Sequence, residues 1–335
     1  MQTRDIVVIG ASAGGVEALQ RLCAALPADF PASVFVVQHL SASARSMLPL
    51  LLSRAGAMPA RAPDDGERIE RGVIYVGAPD HHMLLRQGQI LMRRGPNENR
   101  TRPAVNALFR SAALAYGGRV IGVVLTGMLD DGTEGLIAIT AGGGMSVVQD
   151  PDDAQWPSMP RNALKRDHAS HVVPLAGLAA LLIRLVTEEA APSMLLPDEY
   201  RVEDRMAAME FSVMEPEIIT PGDPSHVACP DCGGVLNKIE AQDELRFRCQ
   251  VGHAFTPLGL ADAQSQELER AISVAARTHR DRIRLFEQMG DNAHARGLPH
   301  AESRWKAAAE ESSHLMEILE KAMHALRKPP GDGEA

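Results

Sequence analysis

Short apolar runs alternate with helical patterns along the first 190 residues of the chain. Strand-length apolar runs lie at Ile6–Ile9, Val34–Gln38, Val120–Leu125, Met145–Gln149 and His171–Pro174. Apolar positions with helical spacing fill Gly15–Ala25, Ala44–Arg54, Val105–Tyr116, Thr133–Ala141 and Met159–Arg166. Most of the runs are continuous, as expected for strands buried on both faces. The pattern predicts an α/β domain over residues 1–190, doubly wound around a mostly parallel sheet. A hairpin insertion is expected near Glu67–Arg93, where short alternating runs are separated by turns.

The pattern changes after about residue 190. Residues 191–228 hold five prolines and eight acidic against two basic side chains, a composition typical of an extended or partly disordered linker. A small cysteine module follows at residues 229–256. Residues 258–327 have a helical pattern interrupted near Gly290–Pro299, which predicts a helical hairpin. The second helix carries a coiled-coil-like seam, in which mostly apolar residues repeat at 3-4 spacing: Trp305, Ala308, Ser312, Leu315, Leu319, Ala322 and Leu326. We expect this seam to pack within the hairpin, with dimerisation as the alternative.

Charge and composition narrow the possible function classes. The formal net charge is −9; residues 1–190 balance 18 basic with 18 acidic side chains, whereas residues 191–335 hold 16 basic and 25 acidic. The chain therefore lacks the basic footprint of a nucleic-acid-binding protein. No apolar run approaches the roughly 18 residues of a membrane span, so no membrane insertion is expected. Three of the four cysteines cluster with metal-ligand spacing and no signal peptide is evident, which favours a reducing, cytoplasmic location.

A glycine-rich turn directly after the first strand is the first candidate site. The turn Gly10–Gly15 reads GASAGG and leads into a helix. Three interpretations are open: a nucleophile turn that presents Ser12, a phosphate- or dinucleotide-binding turn, and a purely structural turn. Ser12 replaces the middle glycine of a dinucleotide fingerprint, and Gln38 and His39 stand where a ribose-binding acidic residue is expected. These differences favour the nucleophile.

His39 and a pair of aspartates are the candidate partners of Ser12. His39 follows the second strand, and adjacent parallel strands bring both residues to the same carboxyl edge. Asp130 and Asp131 follow the strand that ends at Leu125, at that same edge. A carboxylate here would hold the imidazole tautomer needed for proton abstraction. Alternatively, either aspartate would form a turn or cap a helix, and spacing does not choose between them.

Several segments together resemble the catalytic domain of the protein-glutamate methylesterases of bacterial chemotaxis. They are IGASAGGVEAL, VVQHL, IYVGAPDHHMLL, TRPAVNALFRSAA, GVVLTGMLDDGTEGL and SMPRNAL, in the family's order over about residues 4–185. The resemblance implies that Ser12 is the nucleophile and His39 the base. It further implies that Asp131, rather than Asp130, is the acid that orients the base.

The resemblance also extends to an oxyanion and substrate region, with some departures. It implies that Met128 and the backbone at Ala13 contribute there, although many relatives have threonine at the position of Ala13. Asn106 replaces a common aspartate, and Leu129 replaces a common glycine. Family members usually carry a receiver domain ahead of the esterase, for which this sequence has no counterpart. We therefore expect an activity that does not respond to small phosphodonors.

The resemblance implies a serine hydrolase that removes methyl esters from glutamyl residues of chemoreceptor-like proteins, with glutamine deamidation as a second activity. No cofactor is expected for catalysis. The expected partners are a methylated chemoreceptor or similar signalling protein, and a methyltransferase or separate response regulator. Two other functions stay open: a regulatory protein-binding module with a degenerate hydrolase body, and a dinucleotide enzyme, which Ser12 and the Gln38–His39 pair disfavour.

A second candidate site lies in the cysteine module. Cys229 and Cys232 form a C-x2-C turn, and Cys249 and His253 follow after 16 residues. Four such ligands suit a tetrahedral, structural zinc ion in a zinc-ribbon-like module. Unpaired thiols are the alternative, and His226 is a weaker ligand candidate. The role of the module stays open between partner docking, stabilisation of a segment with little core of its own, and nucleic-acid binding, which the acidic surroundings disfavour.

Overall fold

The computed structural model describes residues 2–40, 46–166, 169–209, 222–241 and 244–326. The chain forms two units, Met1–Leu260 and Ala261–Ala335. The cysteine module packs in the same unit as the α/β region. Within the described ranges, no helix combines the length and the apolar character needed to cross a membrane.

A parallel sheet forms the centre of the first unit. The first nine strands are β1 (Ile6–Ala11), β2 (Ser33–Gln38), β3 (Ala60–Arg61), β4 (Ile74–Val76), β5 (His82–Arg86), β6 (Gln89–Arg93), β7 (Val120–Val124), β8 (Met145–Gln149) and β9 (His171–Val173). All of them except β5 and β6 join one sheet in the order β3-β4-β2-β1-β7-β8-β9, with every neighbouring pair parallel. The prediction of a doubly wound α/β fold is therefore confirmed.

Helices cover both faces of this sheet. They are α1 (Gly15–Ala24), α2 (Leu48–Ala55), α3 (Val105–Tyr116), α4 (Thr133–Ala141), α5 (Ser158–Arg166), α6 (Leu175–Leu185) and α7 (Asp198–Ala207). Because successive side chains of a strand point to opposite faces, β1 contributes side chains to two hydrophobic cores, one on each face of the sheet. Val7 and Ile9 join the core under α1, α2 and α6, whereas Ile6 and Val8 join the core under α3, α4 and the β5–β6 hairpin.

Two predicted segments differ from the structure. The hairpin insertion predicted near Glu67–Arg93 contains β4, which is fully buried in the central sheet and pairs with β2; only β5 and β6 form a hairpin. The predicted linker, residues 191–228, contains α7. Its buried Tyr200, Glu203, Asp204 and Ala207 follow a 3-4 spacing and so lie on one face. Asp198 and Glu199 stand in its first turn, where acidic side chains are favourable.

Some predicted residues fall outside the described ranges or at shifted boundaries. Residues 210–221 of the predicted linker lie outside the described residues, as do the first two residues, 44 and 45, of the helix predicted over Ala44–Arg54. That helix begins at Leu48, with a proline in its first turn, as is common at helix starts.

The cysteine module is a small antiparallel sheet. Its strands β10 (Asp223–Ala228), β11 (Val235–Ala241), β12 (Glu244–Cys249) and β13 (Ala254–Phe255) pair in sequence order. Leu236, Ile239 and Phe255 are buried, which gives the module only a few apolar core side chains.

The second unit is built from two long helices. They are α8 (Pro257–Ala295), whose first four residues belong to the first unit, and α9 (Pro299–Leu326). The rings of Phe286 and Trp305 stack with centroids 5.5 Å apart. The helical interruption begins after Ala295 rather than at Gly290, which is buried inside α8. The predicted seam is partly covered: Ser312 is 1% exposed, whereas Leu315 and Leu326 are each 38% exposed.

Candidate active site

Ser12 stands directly after β1, at the carboxyl edge of the sheet. Its backbone N–H donates to the carbonyl of Thr126 at 3.0 Å. Its own carbonyl accepts Nε2 of Gln38 at 2.7 Å and the N–H of Gly15 at 2.9 Å. The backbone of Ser12 is thereby held by both neighbouring strand ends and by the first residue of α1.

The turn after Ser12 requires a glycine. Gly14 has φ +73°, and a Cβ atom there would lie 2.5 Å from Oε1 of Gln155. An L side chain is disfavoured by the backbone and by the space. Among the described residues, no acceptor is found for the N–H groups of Ala13 and Gly14. Both amides at the start of α1 therefore remain available to an anionic atom.

His39 lies between Ser12 and Asp131. Its Nδ1 atom is 3.2 Å from Oγ of Ser12, and its Nε2 atom is 2.7 Å from Oδ2 of Asp131. The imidazole is 16% exposed and the carboxylate 3%. For Nδ1 to accept the Ser12 proton, Nε2 must carry the other ring proton and donate it to Asp131. The arrangement of the three side chains can therefore support proton transfer from Ser12 to His39.

Asp131 is held by the first turn of α3. Its Oδ2 atom accepts the backbone N–H of Val105 at 2.7 Å, and Oδ1 accepts that of Asn106 at 3.1 Å. These are helix N–H groups with no partner inside the helix, and the helix dipole favours an anion there. The amide oxygen of Asn106 in turn accepts the N–H groups of Gly132 and Gly135, each at 2.9 Å. The side chain of Asn106 therefore links the start of α3 to the loop that leads into α4.

Asp130 points away from His39 despite being next to Asp131. Its Oδ1 atom accepts the hydroxyl of Thr256 at 2.9 Å, and the residue is 4% exposed. Burial raises the pKa of Asp130 to about 6, against the lowering effect of Thr256 and with a further raising effect of the Asp131 charge. The two aspartates thus have different partners: Asp131 faces the imidazole, and Asp130 faces the end of the cysteine module.

Met128 and Leu129 form the rim of the site. Met128 is 53% exposed. Leu129 has φ +61°, and its carbonyl accepts Nδ2 of Asn162 at 2.8 Å. This left-handed conformation is one that glycine adopts more readily than leucine. A cavity of about 310 Å³ opens here, lined by Met128, Trp156, Pro157, Ser158, Arg161, Asn162 and Lys165.

A larger cavity lies elsewhere in the first unit. It has a volume of about 640 Å³ and includes Asp5, Arg71 and Arg119, at the amino ends of the strands. Asp5 pairs with Arg71 at 2.6 Å and with Arg119 at 2.8 Å. Because parallel sheets place their reactive loops at the carboxyl ends, the contacts among Ser12, His39 and Asp131, rather than cavity size, define the candidate active site.

The cysteine module brings four metal-ligating side chains together. The ligand atoms of Cys229, Cys232, Cys249 and His253 all lie within 4.8 Å of one another. The Cys232 and Cys249 sulfurs are 3.7 Å apart, and Nδ1 of His253 is 3.7 Å from Cys229 Sγ and 3.5 Å from Cys249 Sγ. Zinc–sulfur bonds of about 2.3 Å in a tetrahedron require separations of roughly 3.7 Å, so the four side chains fit a metal. His226, the weaker ligand candidate, is not part of this group.

The fourth cysteine is structural. Cys23 is 1% exposed within the core under α1, and burial raises the pKa of its thiol to about 12. A buried neutral thiol of this kind is unreactive.

Two positions that support the site could not be identified from the sequence pattern. Gln38 is evident there only as an obstacle to dinucleotide binding, yet its amide holds the Ser12 carbonyl. Thr256 has no signal at all, because it lies 126 residues from Asp130 along the chain. Long-range contacts of this kind leave no local trace in a sequence.

Comparisons with known proteins agree on the first part of the chain. The model of the CheB methylesterase family matches residues 7–182. A protein-glutamate methylesterase/protein-glutamine glutaminase of Xanthomonas campestris pv. campestris is 41% identical over 187 residues, which are 55% of this chain and 52% of that protein. One from Methanosarcina acetivorans is 37% identical over 191 residues, 55% of this chain and 54% of that protein. This chain therefore spans about half the length of these two relatives.

A shorter relative and a solved structure match over nearly their whole length. A putative protein-glutamate methylesterase/protein-glutamine glutaminase of Leptospira interrogans is 34% identical over 182 residues, 54% of this chain and 94% of that protein. The crystal structure of the Thermotoga maritima CheB methylesterase catalytic domain aligns with a TM-score of 0.53 and 31% identity, covering 55% of this chain and 100% of that one.

Proposed function

Given that this chain belongs to the CheB methylesterase family, we propose that it is a serine hydrolase that removes methyl esters from glutamyl side chains of chemoreceptor-like signalling proteins. Deamidation of glutamines at the same site is the second proposed activity. The observation that carries the proposal is the unbroken contact from Ser12 through His39 to Asp131. A hydrolase body that had lost its activity would not need to keep these three side chains within hydrogen-bonding distance of one another.

The proposed first step is attack of Ser12 on the ester carbonyl. Nδ1 of His39 takes the hydroxyl proton across a 3.2 Å contact, and the serine oxygen forms a bond to the carbonyl carbon. The imidazolium that results is stabilised by Asp131, which faces Nε2 at 2.7 Å. Since the carboxylate is only 3% exposed, water screens this attraction little.

Two backbone amides are proposed to stabilise the oxyanion. The N–H groups of Ala13 and Gly14 lie at the start of α1 and have no acceptor among the described residues. Donors of this kind are typically worth about 3 kcal/mol each in the transition state. Met128 is proposed to contact the substrate, since about half of its side chain is exposed beside the cavity.

The proposed second half of the reaction releases the products. His39 gives its proton to the methoxy oxygen, the bond between that oxygen and the former ester carbon breaks, and methanol leaves while the acyl-enzyme remains. Water then loses a proton to His39 and attacks the acyl carbon. The bond from that carbon to the Ser12 oxygen breaks, His39 gives the proton to this oxygen, and a glutamate is released. With a glutamine substrate the same steps release ammonia, but the ester is the more reactive group. Each step uses only side chains and backbone amides of the protein, together with water.

We also propose that the cysteine module binds a structural zinc ion. Its four ligands Cys229, Cys232, Cys249 and His253 would complete a tetrahedral shell and leave no open coordination position for a substrate. Thiolate ligands of this kind persist in a reducing compartment, which supports the proposed cytoplasmic location. A methylated receptor, and a methyltransferase or response regulator of the same pathway, are the proposed partners.

Labelling with a fluorophosphonate tests the nucleophile. Trypsin cleavage after Arg4 and Arg21 gives the peptide Asp5–Arg21, in which Ser12 is the only serine. We expect the label on this peptide in the full-length protein and no label in Ser12→Ala. Ser273→Ala, an exposed serine of the second unit, should label like wild type. Absence of label on the peptide Asp5–Arg21 would contradict the proposal.

Methanol release from a methylated receptor tests the substrate. We expect release by the wild-type chain and a loss of at least about 10³-fold in Ser12→Ala. Equal release by both proteins would exclude Ser12 as the nucleophile. Labelling of Ser12 without any methanol release would keep the hydrolase but reject the methylated receptor as its substrate.

A further inference from the structure

The last strand of the cysteine module docks on the segment that leads into α3. The N–H of Asn99 donates to the carbonyl of Ala254 at 2.8 Å, and the N–H of Ala254 donates to the carbonyl of Asn97 at 3.2 Å. The side-chain oxygen of Asn99 accepts the N–H of Thr256 at 2.9 Å. This segment ends at α3, whose first N–H groups hold Asp131. The module is therefore in direct contact with the support of the candidate triad.

A buried ion network joins the module to the α/β body. Its members are each at most 6% exposed: Glu98, Arg110, Glu203, Arg246 and Arg248. Arg110 contacts Glu98 and Glu203, and Arg246 contacts Glu203 at 2.8 Å. Each ion therefore has a partner from a different segment of the chain. Since an unpaired charge at this depth is strongly unfavourable, the network fixes the module in one position.

Arg248 links this network to the metal-ligating turn. One of its Nη atoms donates to the carbonyl of Gly252 at 2.9 Å, and another lies 3.6 Å from Glu98. Gly252 lies between the ligands Cys249 and His253 and has φ +103°. The shape of the metal-ligating turn and the position of Arg248 are thus coupled through one hydrogen bond.

Thr256 is the contact between the module and the loop that carries Asp130 and Asp131. It stands three residues after the ligand His253 and is 1% exposed. Its hydroxyl donates to Oδ1 of Asp130 at 2.9 Å and accepts the N–H of Gly259 at 3.0 Å, so that it also caps α8. A carboxylate as buried as Asp130 needs such a donor to stay in place.

We propose that Thr256 and Asp130 are positioning residues of the hydrolase, and that metal binding by the cysteine module fixes the loop carrying Asp131 through them. This inference rests on the proposed function for its catalytic readout. Without the metal, Cys249 and His253 are no longer held together by a shared ion, so the turn between them can open. The start of β13, next to His253, is then no longer fixed. Asp130 then keeps a buried charge with no donor from Thr256, and the loop relaxes toward water. His39 loses a fixed orienting carboxylate as a result.

A matched pair of variants tests the Thr256 contact in the full-length, metal-loaded protein. Thr256→Val keeps the shape of the side chain but removes its hydroxyl, whereas Thr256→Ser keeps the hydroxyl. In Thr256→Val we expect unchanged metal content, faster hydrogen exchange of the amides of residues 126–133, and fluorophosphonate labelling of Ser12 slowed by about tenfold. Thr256→Ser should restore both readouts. Wild-type exchange and labelling in Thr256→Val would overturn the proposal.

A double-mutant cycle separates the Asp130 contact from the capping of α8. In an Asp130→Ala background, Thr256→Val should slow labelling by less than about twofold, because the partner of the hydroxyl is already absent. If Thr256→Val costs the same factor in both backgrounds, the hydroxyl acts only on α8 and the proposal fails.

Metal removal tests the other half of the proposal. Chelation of the wild-type protein should raise exchange in residues 126–133 and slow labelling as Thr256→Val does, and adding Zn²⁺ alone should reverse both changes. Cys229→Ser with Cys249→Ser should show the same changes without reversal. Exchange and labelling that ignore metal content would contradict the coupling. If the wild-type protein is not labelled at Ser12, the proposed function fails, and the exchange measurements still decide the coupling.

Discussion

The Oδ2 atom of Asp131 lies 2.7 Å from Nε2 of His39. The same oxygen accepts the backbone N–H of Val105 at 2.7 Å, so one carboxylate atom serves both the imidazole and the helix that holds it. In Asp131→Asn, the amide NH₂ must face either the imidazole and the Val105 N–H, or the Asn106 N–H that Oδ1 of Asp131 accepts at 3.1 Å. We expect labelling of Ser12 to slow by about 10³- to 10⁴-fold, because the wrong imidazole tautomer is favoured. The melting temperature should fall as well. A rate within about threefold of wild type would contradict the role of Asp131.

Gly127 approaches the candidate nucleophile so closely that a methyl group would not fit. A Cβ atom there would lie 2.1 Å from Sδ of Met159 and 2.9 Å from Cβ of Ser12. We therefore expect Gly127→Ala to displace the Ser12 side chain, slow its labelling and lower the melting temperature. Gly177→Ala is the matched control, since nothing lies within 4 Å of its added Cβ in α6. It should leave labelling unchanged and stabilise the protein by about 0.5–1 kcal/mol.

Asp130 makes the stability of the first unit depend on pH. Burial raises its pKa from 3.8 to about 6. Between these values the folded state holds a proton that the unfolded state releases, so the free energy of unfolding falls as pH rises through this window. Asp130→Asn keeps an oxygen for Thr256 and removes the charge. We expect it to be more stable than wild type above about pH 6, by on the order of 2 kcal/mol, with the difference shrinking toward about pH 4. Urea unfolding at several pH values measures this; a difference that grows toward acid pH would be incompatible with the buried charge.

Glu98 has the opposite dependence on pH. Burial alone would raise its pKa, but the charges of Arg110 and Arg248 outweigh burial and lower it to about 2. The carboxylate therefore stabilises the folded state above its ordinary pKa of 4.5, and this contribution is lost as pH falls toward about 2. Glu98→Gln should reduce the free energy of unfolding near neutral pH by about 3 kcal/mol or more, with a smaller difference in acid.

A surface carboxylate provides the comparison for Glu98. Glu70 pairs with Arg61 at 3.2 Å while 63% exposed, and Glu70→Gln should cost at most about 1 kcal/mol. If Glu98→Gln and Glu70→Gln reduce the free energy of unfolding equally at neutral pH, burial does not strengthen the ion pairs of Glu98.

The sequence predicted the central sheet well because most of its strands are buried on both faces. A continuous apolar run as short as Val120–Leu125 is typical of such a strand, and the strand ends within one residue of the prediction. Ile74–Val76 was missed as a sheet strand because three residues are too short for any period. The helix Asp198–Ala207 was missed because the prolines around it and the acidic residues in and around it dominate the composition of residues 191–228. That this helix is held in place by burial of Tyr200 and Met206 can be seen only in the folded structure.

The candidate site was predictable as far as it depends on strand ends. The positions of Ser12 and His39 follow from the parallel order of two strands. The choice between Asp130 and Asp131 does not, because it depends on which carboxylate meets the first turn of α3, about 25 residues earlier in the chain. The contact of Asp130 with Thr256 depends on a fold that brings residues 126 positions apart together. No local pattern carries that information.

The contact between Thr256 and Asp130 can form only after the ribosome has made the cysteine module, since the two residues lie 126 positions apart. A ribosome makes the chain from its amino end, and domains generally fold as units once their residues have emerged. Ser12, His39 and Asp131 are all translated before the module that packs beneath their loop. A nascent chain that has reached only residue 190 holds Glu98 and Arg110 without Glu203, Arg246 and Arg248, the later members of their network. The last residues of the first unit therefore complete the support of the candidate active site, so that a truncated translation product would carry the three candidate catalytic residues without the later members of that framework.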